Sequence, residues 1–119
     1  MKYLLMCCHE EEKLAALPKT ECDALMEETS AYCEALHKSG HLITAEKLEP
    51  VDMATTVRVR NGNLSMTDGP FAETKEQFGG FFLINARDLN EAIQVASKFP
   101  ATRIGSMEVR PVVEWHYGQ

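Results

Sequence analysis

Residues 67–82 read TDGPFAETKEQFGGFF, and this stretch separates two segments that have the residue pattern of β-strands. Asp68-Gly69-Pro70 is typical of a chain reversal, because Asp can bond to nearby backbone, Gly tolerates a positive φ and Pro fixes φ. A dense polar run follows, and Gly79-Gly80 then allows the chain to bend into an apolar strand. Long connections of this kind in a small domain are often functional. We therefore expect a site near this stretch.

A β-hairpin is predicted directly before this stretch. Residues 54–60 and 63–67 flank Asn61-Gly62, the favoured two-residue type I′ turn. The resulting register separates apolar from polar side chains, and this separation fixes the pairing of the two strands. The apolar face comprises Val57, Val59, Leu64 and Met66, and the polar face comprises Thr56, Arg58, Arg60, Asn63, Ser65 and Thr67.

Apolar periodicity elsewhere predicts further strands at 2–8, 41–48, 81–86 and 107–115. One helix is predicted from an N-cap at Thr20 to Gly40, and another from Asp88, paired with Glu91 in a reciprocal cap, to Pro100. The predicted buried positions are Cys22, Leu25, Met26, Thr29, Cys33 and Leu36 in the first helix and Leu89, Ala92, Ile93, Ala96 and Phe99 in the second.

This order of elements predicts an α+β, ferredoxin-like βαβ-hairpin-βαβ fold, with an antiparallel sheet and helices on one of its faces. The other face would expose apolar side chains, and large exposed apolar patches are rare on monomers. Its candidate residues are Phe81, Leu83, Val109, Val113 and Trp115. We therefore expect a homodimer in which two open faces meet about a two-fold axis.

Length and composition indicate a single domain spanning residues 1–119. The chain is 45% apolar, and its net charge of −6, with basic residues scattered singly, argues against direct binding to nucleic acid. The first apolar run is too short for a signal peptide or a membrane span. The four cysteines lack a C-x-x-C spacing and are expected to be reduced thiols. We expect a cytoplasmic protein that does not associate with membranes.

The residues quoted above resemble those of a known family. TDGPFAETKE at 67–76, Gly79-Gly80-Phe81 and EVRPV at 108–112 are together similar to the DGPF type of the YCII-related superfamily. The resemblance implies a ferredoxin-like unit doubled into a dimeric α+β barrel, and little settled function. Proteins of this type are sometimes encoded beside, or fused to, extracytoplasmic-function sigma factors, which suits a sensing role.

Some enzymes of the superfamily use a His–Asp pair whose histidine begins the first helix. The corresponding region here is Pro18 to Cys22, which contains no histidine. The resemblance therefore does not carry this pair over to the present chain.

Two carboxylates are candidate general acids or bases. Asp68 ends a strand before the Gly-Pro turn and could act as a base, but Asp in this position commonly forms an Asx turn that shapes the loop. Glu73 could form an acid/base pair or, with Lys75, an ion pair that holds the loop. Both alternatives stay open for each residue.

Four further side chains are candidate ligand contacts: Arg58, Lys75, Thr74 and His9. Arg58 could hold a carboxylate ligand, or clamp Asp68 or Glu73, and Arg110 could likewise pair with Glu73. Lys75 could bind an anion, and is otherwise a solvated charge. His9 ends the first strand and could be a base near the cleft, or an exposed strand-end residue.

Neither a metal nor a cofactor is expected. The four histidines are His9, His37, His41 and His116, and the pair with metal-like spacing, His37 and His41, straddles Gly40, where a helix should end. Phosphate-binding and dinucleotide-binding motifs are also absent from the sequence.

Three functional hypotheses follow. The first is a binding module whose dimer cleft accepts a small, anionic molecule. The second is a cofactor-independent lyase or isomerase with Asp68 or Glu73 as base and Lys75 or Arg58 stabilising an enolate-like anion. The third is an architectural role, in which Asp68, Arg58 and Glu73 form a buried ionic brace at the dimer.

Overall fold

The computed structural model describes residues 1–115, so His116 lies outside the described residues. The strands are β1 (Lys2–His9), β2 (Leu42–Lys47), β3 (Thr55–Arg60), β4 (Asn63–Asp68), β5 (Gln77–Asn85) and β6 (Ser106–Pro111), and the helices are α1 (Glu11–Ala15), α2 (Lys19–Lys38), α3 (Leu89–Ser97) and α4 (Pro100–Ile104), with a 3-10 turn at Val51–Met53.

The central sheet has the strand order β2-β5-β1-β6 with every neighbouring pair antiparallel. Two strand-helix-strand units separated by a hairpin give this order, so the ferredoxin-like α+β prediction is confirmed. The apolar first strand lies in the interior of the sheet, between β5 and β6. The described helices include none that is long and apolar enough to cross a membrane.

The hydrophobic core lies between one face of the sheet and the helices. Phe99 and Leu5 are fully buried there. The Phe99 ring stacks on Phe82 with centroids 3.9 Å apart and meets the edge of Tyr32 at 4.7 Å. Aromatic pairs in such arrangements contribute about 0.5–1.5 kcal/mol beyond the burial of their area. These contacts attach α2 and the α3–α4 junction to the sheet.

Helix α3 begins as the sequence predicts. The Asp88 carboxylate accepts a hydrogen bond from the Glu91 N–H at 2.9 Å. Glu91 reaches back to accept from the N–H of Arg87 at 3.1 Å, one residue before the expected donor. This cap satisfies backbone donors at the first turn that would otherwise lack partners.

The predicted helical stripes are partly wrong. Ala92, Ala96 and Phe99 are buried as expected, but Leu89 and Ile93 are about half exposed because α3 packs through the side that carries Val95. In α2 only Leu36 is fully buried and Met26 is 59% exposed. Prediction also missed α1, and α2 begins at Lys19 without the expected Thr20 side-chain cap.

The other face of the sheet is not covered by the helices. Leu4 pairs with Leu83 and Met6 pairs with Phe81, and alternation places these four side chains on this open face. The prediction is therefore right for Phe81 and Leu83. It is wrong for Val109, which pairs with Leu5 and packs against the core. Val113 and Trp115 lie beyond the end of β6 and are exposed.

The hairpin β3–β4, called the arm below, forms a separate two-stranded sheet. Its register, with Val57 opposite Met66 and Val59 opposite Leu64, is the predicted one. Asn61 and Gly62 both have positive φ, as a type I′ turn requires. The radius of gyration is 16.5 Å, against about 13.5 Å for a compact domain of this length, which indicates an extended shape.

Candidate functional site

An open cleft of about 690 Å³ lies between the stretch 70–74 and the segment that leads into the arm. Pro70 to Thr74 form one wall and residues 48–56 form the other. Gln77 and Phe78 close the cleft where β5 begins. The lining residues of this loop cleft are Leu48, Glu49, Val51, Ala54, Thr55, Thr56, Pro70, Phe71, Ala72, Glu73, Thr74, Gln77 and Phe78.

Gln77 fastens the loop wall of the cleft to the body of the protein. Its Oε1 accepts a hydrogen bond from the Glu11 N–H at 2.9 Å, and its Nε2 donates to the Thr74 carbonyl at 2.7 Å. Farther along, the Ser106 hydroxyl donates to the Glu76 carboxylate at 2.6 Å, which ties the end of the loop to β6. The loop is therefore held by its own side chains and not by apolar burial.

Glu11 holds the opposite wall. Its carboxylate accepts a hydrogen bond from the Val51 N–H, with Oε2 at 3.1 Å. Both walls of the cleft are thus attached to the first turn of α1. Glu11 and Gln77 were missed in the sequence analysis, because nothing distinguishes Glu11 within the run Glu10–Glu12 or marks Gln77 as an anchor.

The chain reversal at Gly69 shapes the base of the loop. The Gly69 N–H donates to the Ala54 carbonyl at 2.7 Å, and the Thr56 hydroxyl donates to the Gly69 carbonyl at 2.8 Å. Gly69 has a φ of +96°, a conformation that side chains with a Cβ rarely adopt. This explains why glycine follows Asp68 in the motif.

Asp68 was predicted to act as a general base, but it lies outside the loop cleft. It is the last residue of β4, its Cα partner is Thr55, and its side chain is exposed. Within residues 1–115 the Asp68 carboxylate takes part in no hydrogen bond or ion pair, so neither an Asx turn nor a clamp is formed there. Asp68 does not line the loop cleft.

Two of the six predicted site residues do line the cleft. The exposed Glu73 carboxylate has no ion-pair partner within residues 1–115, so its oxygens are open to accept hydrogen bonds. The Thr74 hydroxyl donates to the Glu76 carbonyl at 2.6 Å. Because a hydroxyl has one hydrogen, Thr74 can only accept a hydrogen bond from a bound molecule in this arrangement.

Arg58 and Lys75 do not line the cleft. Arg58 lies on the polar face of the arm opposite Ser65, and the described part of the chain offers it no ion-pair partner. The Lys75 charge acts instead on Glu10, whose pKa is lowered chiefly by a hydrogen bond from Lys13 and to a smaller degree by Lys75. Within residues 1–115 neither predicted cation forms an ion pair with Glu73.

The expected ionic brace is also not formed within one chain. Asp68 and Glu73 are exposed and Arg58 is half buried, and no ion pair within residues 1–115 joins them. Arg110, predicted as a partner of Glu73, bonds to the Glu108 carboxylate instead. These two residues lie on the same strand two positions apart, so they share one face of β6.

His9 lies at a different cavity. This open pocket, of about 320 Å³, is bordered by α2, α4 and the sheet, and is called the inner pocket because it lies on the helix-covered side of the sheet. Its lining residues are Cys7, His9, Leu14, Cys22, Leu25, Met26, Thr29, Ser30, Glu46, Lys47, Gly79, Gly80, Phe81, Phe82, Pro100, Ala101 and Ile104. Burial, together with the nearby Cys8 and Cys33 thiols, raises the pKa of Cys7 to about 12, so that thiol stays neutral.

Residues 1–115 contain no group of three or more His, Cys, Asp or Glu side chains arranged to hold a metal ion. His41, from the histidine pair with metal-like spacing, lies 2.7 Å from the Ser39 hydroxyl and 3.3 Å from the Glu91 carboxylate. Those contacts connect the start of β2 to the start of α3.

Comparisons with known proteins agree with this fold. A family model described as YCII-related domain matches residues 1–116. An uncharacterised protein of Rhizobium meliloti (strain 1021) is 37% identical over 123 residues, which cover 100% of this chain and 98% of that protein.

Among solved structures, 5-chloro-2-hydroxyhydroquinone dehydrochlorinase (TftG) from Burkholderia phenoliruptrix AC1100, in complex with 2,5-dihydroxybenzoquinone, is similar with a TM-score of 0.53. The match covers 99% of this chain and 96% of that chain at 16% identity, a level that shows a shared fold alone.

Proposed function

Since this chain belongs to the YCII-related domain family, we propose that it is a small-molecule-binding module whose ligand occupies the loop cleft. The supporting observation is the cleft itself, which has a volume of about 690 Å³. One of its walls is formed by Pro70 to Thr74, and both walls are attached to α1 by hydrogen bonds. Small-molecule sites usually have volumes of about 300–1,000 Å³ and mostly apolar walls with a few polar groups.

The lining favours a small ring that carries hydroxyl groups. Phe71 is 80% exposed and Phe78 is 38% exposed, so both offer apolar surface to a ring. Glu73 and Glu49 supply carboxylates that accept hydrogen bonds from hydroxyl groups. Thr74 adds a further acceptor. Acceptors of this kind match the donors of a dihydroxylated aromatic compound.

The residues that line the loop cleft do not support the anionic ligand that was proposed from the sequence. The anion was inferred from Arg58 and Lys75, neither of which lines the cleft, whereas Glu49 and Glu73 do. Two carboxylates would repel a bound anion, and no lysine or arginine of the described part of the chain lines this cleft to offset them. We therefore propose a neutral ligand for the loop cleft.

The dehydrochlorinase with a similar fold binds 2,5-dihydroxybenzoquinone, a small ring that bears two hydroxyl groups. Because one fold hosts many functions, this supports a ligand the size of one ring and neither its charge nor the reaction. An enzymatic role would rest on Glu73 as base. Among residues 1–115 no cation lines the cleft beside it to stabilise a developing anion, so binding is favoured over catalysis. A link to sigma-factor regulation stays a prediction.

We further propose that the protein acts as a homodimer. The apolar face of the arm carries Val57, Val59, Leu64 and Met66, which are 59–68% exposed, and the open face of the sheet presents Leu4, Met6, Phe81 and Leu83. Exposed apolar surfaces of this kind commonly mark an interface. A second copy supplies the same surfaces, so a two-fold pair covers both. Sedimentation equilibrium of the purified chain tests this, with a mass near 13.3 kDa counting against it.

Isothermal titration calorimetry with resorcinol, a neutral dihydroxybenzene, tests the proposed site. We expect Phe71→Ala to weaken binding about tenfold through lost apolar contact, and Glu73→Gln to weaken it about fivefold. Glu27→Gln, which changes an exposed carboxylate on α2, is the matched control and should leave binding unchanged. Wild-type affinity in the Phe71→Ala variant would rule out the loop cleft as the site.

A further inference from the structure

We propose that the inner pocket is a second ligand site, and that it accepts a small apolar carboxylic acid. The pocket shares no lining residue with the loop cleft. Its volume of about 320 Å³ is near the lower end of the range for ligand sites, so it suits a molecule with one ring or a short branched chain.

The body of the pocket is apolar and is built from three elements. Leu25 and Met26 come from α2, Ile104 from α4 and Phe82 from β5. Met26 is 59% exposed in spite of its apolar side chain, because the first half of α2 lies over this cavity and not over packed core. An apolar ligand would cover this surface and gain free energy from its removal from water.

His9 lies beside two glycines, Gly79 and Gly105, and their lack of a Cβ makes room for it at the pocket. The register of β1 with β5 shifts between Cys7 and Cys8, which leaves Gly79 as the extra residue of a β-bulge. A Cβ on Gly79 would stand 2.4 Å from His9 Cε1, and one on Gly105 would stand 3.0 Å from His9 Cβ. The imidazole therefore occupies space that Gly79 leaves open, and Gly105 leaves room for the His9 Cβ.

The His9 ring has unused hydrogen-bonding capacity. It is half buried, yet within residues 1–115 it takes part in no hydrogen bond or ion pair. No buried side-chain nitrogen or oxygen of the described residues lacks a partner, so the ring nitrogens reach open space. Its N–H can donate to a carboxylate in the pocket.

Lys47 supplies the charge. It pairs with Gly80 across β2 and β5, and alternation places it on the helix-covered side of the sheet, where it lines the pocket. Its ammonium group has no ion-pair partner within residues 1–115. Glu46 pairs with Phe81, so its side chain belongs to the opposite face, and its carbonyl oxygen is what approaches Gly80. The Lys47 ammonium, the His9 N–H and the apolar lining of the pocket together match a small apolar carboxylic acid.

The test uses benzoate as probe and benzyl alcohol as its uncharged counterpart, both followed by chemical shifts of ¹⁵N-labelled protein. We expect benzoate to shift the amides of Gly79, Gly80 and Ala101 and to bind about tenfold more tightly than benzyl alcohol. Raising the salt to 0.5 M should weaken benzoate alone, because screening acts on charged pairs. Equal affinities for the two probes would overturn the proposal.

Two substitutions separate this site from general charge effects. Lys47→Met should weaken benzoate binding about fivefold, whereas Lys98→Met, an exposed lysine at the end of α3, should not. His9→Gln should weaken it as well, with exposed His37→Gln as the control. Unchanged benzoate affinity in Lys47→Met, or shifts confined to residues 70–74, would overturn the second site. Loss of resorcinol binding alone would bear only on the loop cleft.

Discussion

Replacing Gln77 by leucine tests whether one side chain holds the loop wall of the cleft. The substitution keeps a side chain of similar size and removes two short hydrogen bonds, one from the Glu11 N–H at 2.9 Å and one to the Thr74 carbonyl at 2.7 Å. A longer contact to the Lys75 carbonyl, at 3.4 Å, is lost as well.

The expected cost follows from these bonds. Each intramolecular hydrogen bond contributes about 0.5–1.5 kcal/mol net. The bond from Glu11 is partly buried and the bonds to the loop carbonyls are exposed, so water replaces the latter more easily. We expect the free energy of unfolding of Gln77→Leu to fall by about 2 kcal/mol.

Urea denaturation measures this loss, and amide hydrogen exchange locates it. The Glu11 amide should exchange faster in the variant, since its acceptor is gone. Gln94→Leu, at an exposed position of α3, is the matched control and should change the free energy of unfolding by less than about 0.5 kcal/mol. If Gln77→Leu matches that control and the Glu11 amide exchanges at the wild-type rate, Gln77 does not anchor the loop.

Three further predictions concern the packing, the pH dependence and the thiols of the fold. Gly105→Ala should lower the free energy of unfolding by about 3 kcal/mol in urea denaturation, because the added Cβ would stand 2.2 Å from a backbone carbonyl oxygen of β1. The control Gly40→Ala, which has open space and a φ of +81°, should cost only about 1 kcal/mol. Equal losses in the two variants would contradict this prediction. A hydrogen bond from the Arg87 backbone lowers the pKa of Glu91 below 4.5. The stabilisation given by the ionised Glu91 is therefore present above about pH 4.5 and is lost as the pH falls through the folded-state pKa. The free energy of unfolding, measured from pH 7 to 3, should fall less steeply in Glu91→Gln, and parallel curves would refute the assignment. Burial raises the pKa of Cys7 to about 12, so iodoacetamide at pH 8 should label this thiol far more slowly in folded protein than in urea, as peptide mass spectrometry can check; equal rates would show that the thiol is accessible.

The parts of the fold that local chemistry determines were predicted correctly. The Asn61-Gly62 turn sets the register of the arm, and Asp88 with Glu91 sets the start of α3. Alternating strands with two amphipathic helices gave the order of elements and, through it, the ferredoxin-like sheet. These signals depend on residues close in sequence, so one chain is enough to read them.

The errors come from contacts between distant segments. Met26 fits a helical stripe, but whether that stripe meets core or cavity depends on how α2 crosses the sheet. Val109 was assigned to the open face, but its pairing with the buried Leu5 places it on the core face. Sequence pattern alone does not fix either arrangement.

The position of the candidate site was predicted from the sequence, but the arrangement of its side chains was not. The loop was predicted to lie near a site, and two of its residues, Glu73 and Thr74, line a cleft whose function stays a proposal. The pairing of its charges depended on distances across the arm and β6, which the sequence does not supply. Gln77 was missed because one of its partners, the Glu11 N–H, lies 66 residues away in the sequence.

A chemical-shift map tests the central claim, that the loop cleft is a binding site, most directly. Resorcinol would be titrated into ¹⁵N-labelled protein while the backbone amides are followed. The account predicts shifts that saturate and cluster at Phe71 to Thr74 and at Thr55 and Thr56, on the two walls of the cleft. Shifts confined to other residues, or none at concentrations up to about 10 mM, would contradict it.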